Sequence, residues 1–151
     1  MVLLKNSLSS PKLLYKLRTS ECCDGPVLPQ IDAALRDSLS RILNVDLSDD
    51  NWLQASLPVK NGGLGIRSVT TLAPSAFLAS AASTLTLQDA MLAQFGNTAH
   101  DPAITRSTVA WSAMANDVET VSERRHIQKA WDGGCHTETA KFTAADGNII
   151  H

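Results

Sequence analysis

Aromatic residues are scarce in this chain, at 5% of 151 residues. That excludes a core of large rings and leaves Leu, Ala, Ile and Val to fill it, a composition that favours helices. Cysteine is also thin. Cys22, Cys23 and Cys135 form an odd set whose first two members are adjacent, too close for an easy mutual bridge, so no disulfide framework is implied and free thiols are expected. Large net charge is lacking as well: the formal balance is -2, so any nucleic acid or anionic membrane must be met by a local patch. Acidic residues are missing altogether from positions 1–20, where Lys5, Lys12, Lys16 and Arg18 stand.

An apolar span is lacking too. From Val69 to Leu87 no charge occurs, but Thr70, Thr71, Pro74, Ser75, Ser80, Ser83, Thr84 and Thr86 interrupt the run. A membrane helix needs about 20 predominantly apolar residues, so no membrane partner is expected. The opening MVLLKNSLSSPK carries only a short apolar patch broken by Lys5 and Lys12, so no secretory leader is expected. An intracellular protein, cytoplasmic or nuclear and not secreted, is the expectation.

What is present reads as a mainly α, irregular helical bundle. Hydrophobic residues reach 44%, and a chain of this length can bury roughly 68 to 70% of its unfolded surface. Ser10 and Pro11 make an N-cap and first-turn pair for KLLYKLRTS. Leu13, Leu14 and Leu17 cluster on one side of that helix, and Lys12, Tyr15, Lys16 and Arg18 fall on the other. Beyond the loop CDGPVLPQ, IDAALRDSLSRILN places Ile31, Leu35, Leu39 and Ile42 at helical spacing. Ser48 or Asp49 caps a short third helix in LSDDNWLQASL, and LPVKNGGLGI predicts two short extended pieces about an Asn61-Gly62-Gly63 turn, a hairpin-like feature near 57–66.

Ser68 is the predicted cap of an alanine-rich helix over 69–83, kinked or broken at Pro74. Thr86 and Asp89 have the spacing of a capping box before a separate helix AMLAQF, stopped by Gly96 and Asn97. Asp101 and Pro102 open AITRSTVAWSAMAN, and Ser122 is a cap for ERRHIQKAW, stopped by Gly133 and Gly134. The organisation that follows is a helical region over 1–95, additional helices over 96–132, and a tail over 133–151 whose lack of period predicts disorder. No segment repeats another at a fixed period, which argues against a solenoid.

Three strings bring these elements together: SPKLLYKLRTS, NVDLSDDNWLQASLPVKNGGLGIRSV and LAPSAFLASAAS. In order and spacing they resemble the region just after the polymerase palm in reverse transcriptases of non-LTR retrotransposons, over about residues 8–83. ERRHIQKAWD is similar, more weakly, to a downstream Arg-rich, Trp-Asp element of the same proteins. The resemblance implies a thumb and the connection beyond it, which hold template and primer while fingers and palm do the chemistry. It implies no active site. Polymerisation requires two metal ions clamped by carboxylates, which that family draws from palm aspartates including a Phe/Tyr-x-Asp-Asp turn. The nearest match, Leu47-Ser48-Asp49-Asp50, lacks the aromatic and reads as a helix start. No catalytic residue, metal or cofactor is therefore expected.

Other chemistries fare no better. His126, Cys135 and His136 lack a Cys-x2-Cys partner for zinc. The string GGLG at 62–65 is neither dinucleotide fingerprint nor P-loop, and no nucleophile elbow marks a triad. Trp52, Trp111 and Trp131 read as core anchors rather than base-stacking platforms. Positive chemical content lies in the first helix, where Lys12, Lys16 and Arg18 with Tyr15 suit contact with phosphates of RNA or an RNA/DNA hybrid; a plain solvated face is the alternative reading of the same pattern. Arg124, Arg125 and Lys129 form a second cluster, diluted by Glu123 and Asp132. Two further alternatives stand beside nucleic-acid binding: a helical module that meets a protein partner through the 69–83 helix, and a degenerate open reading frame without retained function.

Overall fold

The computed structural model describes residues 11–22, 25–96, 101–115 and 127–132. Helices α1 (Pro11–Thr19), α2 (Val27–Leu43), α3 (Asp49–Ser56), α4 (Val69–Leu92) and α5 (Pro102–Ser112) follow in order, with a helical stretch over 128–132. No strand occurs among the described residues. The mainly α bundle expected from composition is the architecture found.

Local capping chemistry sets several boundaries. The Ser48 hydroxyl accepts the Asn51 amide at 3.2 Å, so the Ser48-Asp49-Asp50 string is a helix start with its two carboxylates in the first turn. Asp101 accepts the Ala103 amide at 2.9 Å with Pro102 opening α5. Helix α2 begins four residues before Ile31, admitting Pro29 into its first turn, where a missing amide donor costs nothing. It ends at Asn44, which takes the left-handed conformation at φ 53°.

Helix α4 is the axis of the molecule. It packs on α1, α2 and α5, and every residue from Ala73 to Ala79 is buried. Above its first turns Leu17, Leu28, Leu35, Val69, Ala73 and Ala76 form one cluster. Leu78 and Ala79 join Trp111, Ala115 and Trp131 in a second, and Leu39, Ala55 and Ile66 make a third that touches the first through Trp52. Alanines and serines on α4 let three neighbours approach it closely.

Two sequence expectations are corrected here. The 69–83 and 90–95 segments are not separate helices: α4 runs unbroken through Pro74 and past Thr86 and Asp89 to Leu92, closing in a 3-10 turn at Ala93–Phe95 before Gly96 at φ 69°. Pro74 is buried among packed neighbours, and that burial offsets a proline penalty of about 3 kcal/mol. The capping-box spacing goes unused because Thr86 and Asp89 lie on an exposed helix with no Gly or Pro at hand to end it.

The second correction concerns 57–66. The turn is present, but its flanks are not strands: Val59–Asn61 is a 3-10 turn, and the chain doubles back onto the end of α3. Leu64 and Ile66 amides donate to the Ala55 carbonyl at 3.1 and 3.3 Å, and Gly65 donates to Leu57 at 2.8 Å. Carbonyls at a helix end lack intrahelical donors, and the returning loop supplies them. Gly63 makes this possible, since a Cβ there would fall onto the carbonyl oxygens of Leu57 and Gln54. Gly63→Ala is accordingly expected to cost on the order of 2 kcal/mol or more in urea unfolding. A loss below about 0.5 kcal/mol, the usual surface range, would show that the loop is not tightly held.

Candidate nucleic-acid interface

Helix α1 presents the two faces its sequence implies. Leu17 is buried against α4 and Leu13 and Leu14 are half-buried, whereas Tyr15, Lys16 and Arg18 are exposed, Tyr15 by 64%. Lys12 belongs to the same helix by its backbone, and its side chain lies outside the described residues, as do Lys5, Arg124 and Arg125. Of the four residues that the sequence nominates, three are therefore placed together on one open face.

Tertiary contacts change the charge of that face. The Arg18 guanidinium donates to the Gln128 side-chain carbonyl at 2.8 Å, which ties the 128–132 stretch, with its exposed Lys129, to α1. Acids nearby are taken up by other arginines. Glu21 receives Arg106 in a two-pronged contact, with Nε at 2.6 Å. That hydrogen bonding holds the Glu21 carboxyl below its ordinary pKa, aided by the coulombic attraction of the same guanidinium and opposed by desolvation. Asp132 accepts from Arg67 at 2.7 and 2.8 Å and from Ser75 at 2.8 Å. Arg36 pairs with Asp49, and Arg41 with Asp37. None of the ion pairs among the described residues uses Lys16, Arg18 or Lys129.

The downstream segment is fixed by more than Gln128. Trp131 is buried edge-on against Trp111, ring centres 5.0 Å apart at 82°, and its carbonyl accepts the Trp111 indole N–H at 3.1 Å. Both rings are core anchors, and Trp52 is half-buried between two clusters, so the tryptophans offer no platform for bases. Sequence reasoning had no signal for this junction: the Arg18 to Gln128 contact spans 110 positions.

Other sequence candidates resolve differently. His126, Cys135 and His136 lie outside the described residues, and no group of three metal-ligating side chains is assembled among the described ones. No described helix is long and apolar enough to cross a membrane. Ala73 to Ala79, the centre of the alanine-rich helix, are covered by the chain's own α1, α2 and α5, which leaves them no free face for a partner. Comparison with protein-family models, curated proteins and solved structures finds no match.

Proposed function

We propose that this chain is a noncatalytic, thumb-like module that holds RNA or an RNA/DNA hybrid by its phosphates, similar in role to the post-palm region of a non-LTR retrotransposon reverse transcriptase. One observation carries the reading: Lys16 and Arg18 stand exposed on α1 and enter no ion pair among the described residues, while Glu21 and Asp132 are committed to Arg106 and Arg67. A face so arranged attracts phosphate without reading bases, because point charges on an open helix carry no sequence information. Tyr15 extends it along α1 by an exposed ring that can stack on a terminal base or sugar, and Lys12 belongs to the same helix by its backbone.

The magnitude is modest. Each phosphate contact lowers the logarithm of affinity by about 0.7 to 0.9 per decade of salt, so three contacts imply a slope of roughly -2 to -3. Fluorescence anisotropy with a short labelled RNA/DNA hybrid, repeated over a salt series, reads that slope directly. Lys16→Glu and Arg18→Glu together are expected to reduce its magnitude by about 2 and to weaken binding at low salt by at least about tenfold. Hybrids of different sequence are expected to bind alike. An affinity that ignores both charge reversals, or no binding at low salt, would refute the reading.

A further inference from the structure

Helix α4 outruns the core it organises. Its buried residues end at Ala79, Ser80 to Ala82 are half-buried, and from Ser83 to Met91 every residue is exposed. That leaves a rod of about 15 Å in solvent at the rise of an α-helix. Yet one face of the rod is apolar. Leu87, Met91 and Phe95 recur at intervals of four and are 63, 60 and 70% exposed. Leu87 and Met91 with Ser83 and Thr84 occupy about a third of the circumference of α4, Phe95 follows in the 3-10 turn that closes it, and the one charge on α4, Asp89, lies on the far side.

We infer that this stripe is the docking surface for a second copy of the chain, α4 against α4, antiparallel about a two-fold axis at the level of Leu87 and Met91. The surface is self-complementary in that arrangement. Leu87 of one copy meets Met91 of the other, and the ring of Phe95 lies over Ser83 and Thr84, large against small. Covering those two hydroxyls strands no donor. Ser83 already donates to the Ser80 carbonyl at 2.7 Å, and Thr84 donates to the carbonyls of Ser80 and Ala81 at 3.2 and 3.1 Å. The desolvation cost that ordinarily opposes burial of Ser and Thr is therefore small.

Charge selects the occupant. The whole of α4 contains no Lys or Arg, so neither nucleic acid nor an anionic lipid surface is attracted to it. A second copy brings the same uncharged stripe and keeps both Asp89 carboxylates in water. Area is adequate as well. The three large side chains with their small flanking residues present on the order of 500 Å² per copy, or about 1,000 Å² in total, the size at which a specific interface begins. The pairing is isologous, so it closes at two copies rather than propagating.

Sedimentation equilibrium of the full chain over a dilution series tests this. The expected mass at high concentration is twice the 16.2 kDa of one chain, falling to the single mass on dilution. Leu87→Glu and Met91→Glu are each expected to weaken association by at least about tenfold, since a charge would be buried unpaired. Ile42→Glu, at a comparably exposed position on α2, is expected to leave it unchanged. Ser83→Trp fills the seat of Phe95 and is expected to abolish the dimer while leaving the monomer's thermal midpoint unaltered. A parent chain that stays monomeric at its highest soluble concentration overturns the proposal. So does a dimer that survives Leu87→Glu and Ser83→Trp, or a monomer whose melting falls on Leu87→Glu, which would assign the stripe to another segment of the same chain.

Discussion

Trp111→Ala is expected to remove about 3 to 5 kcal/mol of folding stability, the range for deleting a large buried ring. Trp111 is 2% exposed and lies in a cluster with Leu78, Ala79, Ala115 and Trp131. Two losses combine in the variant. The cavity opens between α4, α5 and the 128–132 stretch, and the Trp131 carbonyl loses the indole donor at 3.1 Å. Edge-to-face contact with Trp131 adds about 0.5 to 1.5 kcal/mol beyond the area buried.

Domains of this size have about 5 to 15 kcal/mol in total, so the alanine variant keeps only a fraction of its folded population at moderate urea. Trp111→Phe separates the two effects: it keeps a ring and forfeits the donor, with an expected loss of about 1 to 3 kcal/mol. Urea unfolding followed by circular dichroism measures both. A Trp111→Ala variant within about 0.5 kcal/mol of the parent, the range of an ordinary surface change, would mean that α5 and 128–132 do not share a core with α4.

The second large effect is expected at Asp32. Its carboxylate reaches from α2 to the start of α4, accepting from the Val69 amide at 2.6 Å, the Thr70 amide at 3.1 Å, and the Ser68 and Thr70 hydroxyls at 2.7 and 2.6 Å. It thus caps a helix that its own segment does not contain, placing negative charge at the positive end of the helix dipole. Asp32→Ala removes all four bonds and leaves half-buried donors without partners. About 2 to 4 kcal/mol is the expected loss, from a cap worth about 1 kcal/mol and bonds to a charged group worth about 1.5 to 3 each but not additive. Asp32→Asn keeps the shape, loses the charge and one acceptor, and is expected to cost roughly half as much. If Asn and Ala prove equally mild in urea unfolding, the α2 to α4 junction is held by apolar packing alone.

Asp32 also marks where sequence reading ends. Ser68 is correctly placed as the residue before α4, but its hydroxyl donates to Asp32 instead of accepting an amide. The cap signal therefore located the boundary and misassigned the chemistry, because the true acceptor sits 37 positions earlier than Val69. Pro74 makes the same point in another way. Within its segment it predicts a kink or a break, and only the burial of the surrounding turns explains why α4 passes through it.

The candidate interface divides likewise. Periodicity around Leu13, Leu14 and Leu17 sufficed to separate an apolar face from one bearing Tyr15, Lys16 and Arg18. It said nothing about which charges stay uncompensated. Glu21 lies three residues beyond Arg18 and would have diluted the patch, but Arg106, 85 positions away, removes it from account. The apolar stripe of Leu87, Met91 and Phe95 was equally hidden, since the 69–83 segment is the more conspicuous helix in the sequence and the fold buries its centre.

By itself, then, the sequence determined the helical class, the starts of α1, α3 and α5, and the two-faced character of α1, because caps and periodicity act within one or two turns. Tertiary structure decided the continuity of α4, the loop folded back on α3, the cap from Asp32, the contact of Gln128 with α1, and the exposure of the end of α4. Those depend on which distant segments meet, and a hydrogen bond or ion pair between residues far apart in the chain exists only once the packing of the core has brought them within reach.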